Sequence, residues 1–405
     1  MEAPLIQVPD GTITTPLGFL AGAVHAGIKY PEPDRLDFAF LYSERPCAVA
    51  GVFTQSAFRG PPVVISERNI ANGRAQAIIA NSGISNSLFG EKGVQAGEEM
   101  AQLAAKRLGI DASDVVVAST GVTGWRLPVE RMREAAPRIE LSRNGGESFA
   151  RAIMTTDTVH KQACVSFEVN GTTYTVGGCA KGVGMIEPNM ATMLAFMTTD
   201  APVAIEALRT AVRQTADVSL NMLVVDGDTS PNDTLVLLAN GAAGGEEIGI
   251  GSPALPLLTA AVQHVAISLT RQLARDGEGA SKLIEITVEG AASGDDARRA
   301  AKTIARSPLV KTAMYGNDPN WGRILVALGY SGARAEEPRT SLWLQDTEVF
   351  IRGTAVDFDN VALSAALAVD TVSMRLDLGL GSGNATAYTC DLTPDYIRIN
   401  SEYTT

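Results

Sequence analysis

The chain has 405 residues, 45% hydrophobic and 19% charged, with a formal net charge of −12. That balance allows a core of ordinary size and excludes both a disordered chain and a nucleic-acid binder, which would carry a basic stripe. No run of eighteen apolar residues occurs and no positive segment precedes an apolar one after Met1, so neither a membrane span nor a signal peptide is expected and a cytoplasmic location follows.

In chain order, the short apolar runs 37–41, 62–65, 77–80 and 115–118, each bounded by turn residues, predict buried strands. Apolar and small residues recurring three and four apart predict helices over 94–108, with Gly109 at the end, 203–220, 255–273, 295–306 and 360–368. A strand-rich tail is predicted from 341–344 through 349–352 to 396–399, and the small residues of 290–295 mark a weak boundary before it. The chain reads as mixed α and β without repeats or a long linker.

The usual catalytic materials are scarce. Cys47, Cys164, Cys179 and Cys390 form no C-x-x-C pair, and His25, His160 and His264 do not pair at ligand spacing. A zinc knuckle, a disulfide framework, a histidine metal site and a Ser-His-Asp triad are therefore not expected. The acidic run 226–233 lacks the alternating ligands of a calcium loop and reads as a turn, and the glycines of 378–383 read as a strand connection rather than a dinucleotide turn.

Two glycine-bearing segments, 118–124 and 177–184, are candidate loops whose backbone N–H groups converge on an anion. Lys181 precedes the last glycines of the second, which is not a Walker motif. Shortly afterwards Thr192 follows a small residue, Ala191, and precedes an apolar run, 193–197. A threonine so placed fits a nucleophile that becomes an N-terminus when its own upstream peptide bond is cut. Its free α-amine, with a pKa of about 7.7 to 8, then accepts the proton of its own hydroxyl, and no histidine is needed.

The run Lys181-Gly182-Val183-Gly184-Met185-Ile186-Glu187-Pro188-Asn189-Met190-Ala191-Thr192-Met193-Leu194 resembles the self-cleavage signature of the ornithine acetyltransferase family, the bifunctional glutamate N-acetyltransferases of arginine biosynthesis. Further matches lie along nearly the whole chain, among them 50–54, 118–121, 155–158, 317–323 and 395–405. The resemblance implies an α+β fold, a layered αββα sandwich shared with self-processing aminopeptidases, with a smaller strand-rich C-terminal subdomain over roughly 295–405. It implies a cut between Ala191 and Thr192 into an α chain, 1–191, and a β chain, 192–405, assembled as a tetramer of two of each. It also implies a ping-pong transfer of acetyl from N-acetylornithine to glutamate through Thr192, with acetyl-CoA as a further donor in bifunctional members and no bound cofactor or metal. By motif, Thr120 and Gly121 would form the oxyanion hole, and Thr158, Lys181, Thr192, Glu278, Asn400 and Thr405 would bind substrate. A lysine suits a carboxylate and a glutamate suits an ammonium.

Two departures stand out: Ile84, Ser85 and Ser87 in a loop that in the family usually reads Asn-Ser-Gly-Asn-Ala-Asn, and His160 where a proline often stands. Other readings are an N-terminal-threonine amidohydrolase or aminopeptidase, separated from a transferase by water exclusion and an acceptor pocket, and an uncleaved scaffold that keeps the fold without the chemistry.

Overall fold

The computed structural model describes residues 5–187 and 193–402. In chain order its first strands are β1 (Ile6–Gln7), β2 (Phe19–Val24), β3 (Phe38–Phe53), β4 (Arg74–Asn81) and β5 (Val115–Ser119). They are followed by β6 (Lys161–Val169), β7 (Thr172–Lys181), β8 (Leu194–Thr199), β9 (Leu223–Val224) and β10 (Thr234–Ala239). The first sheet runs β1-β6-β7-β8-β10-β3-β4-β5, with β2 added on β3. The remaining strands are β11 (Leu283–Ala291), β12 (Ser341–Leu344), β13 (Thr347–Ile351), β14 (Thr354–Ala355), β15 (Thr371–Asp377) and β16 (Gly383–Cys390). They form a second sheet in the order β14-β13-β12-β15-β11-β16-β9, so that sheet also draws strands from before residue 295.

The helices are α1 (Pro61–Asn69), α2 (Gly90–Leu108), α3 (Val129–Ala135), α4 (Gly146–Ala152), α5 (Ile205–Val218) and α6 (Leu255–Arg275). After β11 come α7 (Gly294–Arg306), α8 (Pro308–Tyr315), α9 (Trp321–Gly329), α10 (Asn360–Ala366) and α11 (Pro394–Glu402). The chain is thus mixed α and β, as its pattern predicted, in the layered α+β arrangement that the resemblance implied. Helix α6 packs on β6 and β7 of the first sheet and on β11 and β16 of the second, which makes it the layer the two sheets share. Helix α7 covers β11 and β16. No helix among the described residues is long and apolar enough to cross a membrane.

β8 and β10 are buried at every position, which explains why they read as continuous apolar runs rather than alternating ones. Ala195, Met197, Leu235 and Leu237 join the core built with α5 and α6, whereas Phe196, Val236 and Leu238 join Phe149 and Ala150 of α4. Burying side chains of this kind stabilises by about 1.5–3 kcal/mol each. All four cysteines are buried and unpaired, as small core residues.

Three local expectations are overturned. Residues 62–65 belong to helix α1, not to a strand, because Gly60 is extended and Pro61 and Pro62 occupy the first helical turn with φ already set. Its buried Pro62, Ile65, Ser66 and Asn69 follow the helical period, which four residues read alone could not reveal. Residues 396–399 lie in α11, begun by Pro394 with the Thr393 hydroxyl accepting from the Asp395 N–H at 3.2 Å. The supposed loop from Gly177 is the end of β7, which runs to Lys181. Its glycines answer close packing: a Cβ on Gly177 would lie 2.3 Å from the Thr12 carbonyl oxygen.

Candidate active site

The ends of β5, β7 and β8 converge with the loop before β10, the turn after α6 and helix α11 around a cleft of about 160 Å³. Thr120 and Gly121 follow β5, Lys181 ends β7, and Met193 and Leu194 open β8. Asp226 and Asn232 come from the loop before β10, Glu278 from the turn after α6, and Tyr396 and Asn400 from α11. Lys181 pairs across the sheet with Leu194, whose other neighbour is Thr234. Ala191 and Thr192 lie outside the described residues, as does Thr405, but Met193, next in the chain after Thr192, lines the cleft.

Four strands separate β7, which Lys181 ends, from β5, yet Lys181 Nζ donates to Thr120 Oγ1 at 2.9 Å. The sheet therefore curls at this end. Asn232 helps to hold the curl, donating through Nδ2 to the Ser119 carbonyl at 2.8 Å and to the Ser85 carbonyl. Gly121 has φ +123, and a Cβ there would lie 2.2 Å from the carbonyl carbon of Gly83. Only glycine fits that approach. No acceptor for the Gly121 N–H is found among the described residues, and Gly121 lines the cleft beside Thr120.

Beneath Lys181 lies a buried ionic cluster. Lys161, fully buried, bridges Asp157 at 2.7 Å and Asp276 at 2.6 Å. Asp157 also accepts from the N–H of Gly182 and of Thr155, both at 2.9 Å, and so ties the 155–157 loop to the end of β7. Burial lowers the Lys181 ammonium below the usual lysine range against the opposing pull of Asp157. Burial alone would raise the Asp157 carboxyl, but Lys161 and Lys181 hold it down at about 2, against an ordinary 3.8. A depressed carboxylate contributes stability that is fully present above its unfolded pKa and is lost as pH falls through the folded one. Denaturant titrations should therefore show a loss on the order of 2 kcal/mol between about pH 4 and pH 2 that Asp157→Asn lacks; parallel curves for the two proteins would refute the coupling.

Glu278 receives the Thr156 hydroxyl on one carboxylate oxygen at 2.9 Å and the Asn400 amide on the other at 2.8 Å. Gly184 lies directly under it, since a Cβ there would come within 2.4 Å of the carboxylate. Tyr396 and Asn400, one helical turn apart on α11, face the cleft together, and Tyr396 donates to Asp226 at 3.3 Å. Burial, and then Asp226, raises the Tyr396 phenol above its usual range.

The structure brings Thr120, Gly121, Lys181, Glu278 and Asn400 together. It does not bring in Thr158, whose N–H and hydroxyl both bind Asp276 and which is exposed, outside the cleft. Thr155 and Thr156 of the same motif take the cleft-facing positions. Asp226, Asn232 and Tyr396 were missed: the first two lie in a run read as a turn, and the third in a tail read as a strand. Of the departures, Ser85 lines the cleft and shares a hydroxyl contact with Ser87 at 2.6 Å, whereas His160 stands 4.0 Å from Glu147 and does not line it.

A family model described as the ArgJ family matches residues 20–405. The "Arginine biosynthesis bifunctional protein ArgJ" of Dehalococcoides mccartyi is 47% identical over 405 residues, all of both chains. The protein of the same name from Symbiobacterium thermophilum is 48% identical over 397 residues, 98% of this chain and 99% of its own. Among solved structures, the arginine biosynthesis bifunctional protein argJ of Bacillus halodurans is similar at 39% identity and a TM-score of 0.50, over 51% of this chain and 97% of its own. With a family match over residues 20–405 and relatives identical at nearly half of all positions, the chain belongs to the ArgJ family.

Proposed function

We propose that this protein moves an acetyl group from N-acetylornithine to glutamate through an ester on Thr192, released as an N-terminus by self-cleavage after Ala191. Family membership makes it an acetyltransferase of arginine biosynthesis; the cleft supports the finer steps. The observation that carries the reading is the pairing of Lys181 with Leu194 beside Thr120 and Gly121, which sets the entry of β8 next to two donors suited to an oxyanion. In the first half-reaction Thr192 Oγ attacks the acetyl carbonyl, the C–N bond to ornithine breaks, and the hydroxyl proton passes by way of the α-amine to the leaving nitrogen. In the second, the glutamate amine attacks the ester and the hydroxyl is restored. Glu278 faces an ammonium and Lys181 a carboxylate.

The Bacillus halodurans chain supports the cut as well: nearly all of it is matched, yet it spans only about half of this chain, the share left after cleavage near residue 191. Intact mass spectrometry tests the reading. We expect two fragments, with one acetyl group on the C-terminal one after addition of N-acetylornithine and its loss when glutamate follows. Rapid decay to acetate that glutamate does not accelerate would mark a hydrolase instead. Acetyl-CoA as a second donor is read out in the same way, by labelling of the same fragment.

Thr120→Ala should still be cut and assembled, with kcat lower by about 10²- to 10³-fold, the typical effect of one oxyanion donor. Steady-state kinetics at saturating donor measure it, and an unchanged kcat removes Thr120 from the role.

A further inference from the structure

The bond after Ala191 has to be presented to Thr192, and the chain entering it is held with unusual thoroughness. Met185 has φ +57, a left-handed conformation costly for a side chain of this size unless its surroundings impose it. They do, because the Asp226 carboxylate accepts from the N–H of Met185 at 2.7 Å and of Ile186 at 2.8 Å. The Val225 N–H donates to the Ile186 carbonyl at 2.6 Å, and the Glu187 N–H donates to the Asp228 carbonyl at 2.7 Å. The Thr229 hydroxyl donates to the Glu187 carbonyl at 2.8 Å.

The Glu187 side chain ends this run. It is 4% exposed and receives Arg306 through Nε at 2.6 Å and through a second guanidinium nitrogen, with Lys302 Nζ at 3.4 Å. Both cations come from α7. None of Glu187, Lys302 and Arg306 lines the cleft, so substrate binding and acetyl transfer give this bidentate pair, a buried carboxylate held by an exposed guanidinium, no task. On the downstream side the chain is anchored again, the Thr234 N–H donating to the Met193 carbonyl at 2.9 Å.

We propose that the Glu187–Arg306 pair is a positioning device for self-cleavage, holding the chain on the upstream side so that the carbonyl of Ala191 is presented to Thr192 Oγ. It rests on the reading of Thr192 given above. In that step Oγ attacks the Ala191 carbonyl carbon, the C–N bond to Thr192 breaks, and the hydroxyl proton goes to the released nitrogen. Water then opens the ester, leaving the Ala191 carboxylate and the restored hydroxyl. Once the bond is cut, acetyl transfer uses the β8 end of the cleft and no longer depends on the pair.

The test follows cleavage of newly made chain by intact mass and, separately, kcat of the cleaved fraction. Arg306→Met should slow cleavage by about tenfold to a hundredfold, the scale of a small misplacement of reacting groups, and Glu187→Gln should do the same with less change of shape. Arg306→Lys should recover part of the rate, and Glu187→Arg combined with Arg306→Glu should recover more than either single reversal. The cleaved fraction of each variant should keep the wild-type kcat. Cleavage of Arg306→Met and Glu187→Gln at the wild-type rate, or an equal loss in cleavage and kcat, overturns the proposal. A wild-type chain that is never cut instead removes the Thr192 reading beneath it.

Discussion

Replacement of Thr192 by alanine should leave one full-length chain, no acetyl-enzyme and an acetyl-transfer rate lower by about five to six orders of magnitude, the scale seen when a nucleophile acting as part of a unit is deleted. Two losses arise from one atom. Without Oγ the Ala191–Thr192 bond is not attacked, so no α-amine is released to act as base; without Oγ there is also nothing to carry the acetyl group. Thr192→Ser keeps an oxygen in place and should cleave and transfer, more slowly. Gel mobility reports the cut and a coupled ornithine-release assay reports turnover. An alanine variant that still turns over above about a thousandth of the wild-type rate cannot be reconciled with a covalent role for this residue.

Lys161→Met should be the most damaging change outside the reacting groups, costing about 3–5 kcal/mol, because it removes one ammonium from between two buried carboxylates and leaves both without it. Methionine fills nearly the same volume, so the loss is electrostatic rather than a cavity. Asp157 and Asp276 then face each other in the protein interior, and the bonds from Asp157 to the Gly182 and Thr155 N–H groups are strained by that repulsion. Because those bonds set the end of β7 and the loop that carries Thr155 and Thr156, activity should fall in the folded fraction too. Urea unfolding with an unchanged slope measures the first effect, and a midpoint shift worth less than about 1 kcal/mol would show that the cluster is already relieved by water or by proton uptake.

Legibility in the sequence follows the range of the interactions involved. β4, β5, β8 and helices α2, α5, α6 and α7 are visible because each buries a face or a whole strand, and burial writes its period into adjacent residues. Short runs at the borders are ambiguous: residues 62–65 of α1 were read as a strand because Pro-Val-Val-Ile satisfies both patterns, and Ser66, bound to the Val117 backbone in both directions at 2.7 Å, and Asn69, donating to the Val115 carbonyl at 2.9 Å, show that the helix packs on β5. The tail failed in the same way, since Tyr396 and Asn400 are one turn apart only if the backbone is helical.

The sequence by itself determined the family, through its long signature, and pointed to the chemistry proposed here: a threonine after a small residue, two glycine segments, and few histidines for a metal site or a triad. Only the tertiary structure decided which of those residues meet. The first sheet puts Lys181 on Thr120 across four intervening strands, Thr158 is turned away onto Asp276 while Thr155 and Thr156 line the cleft, and Asp226, seemingly a turn residue, anchors the chain at Met185 and Ile186. Such contacts join residues 40 to 170 positions apart. No local pattern encodes them, because they depend on how the strands curl and stack and not on the preferences of any one segment.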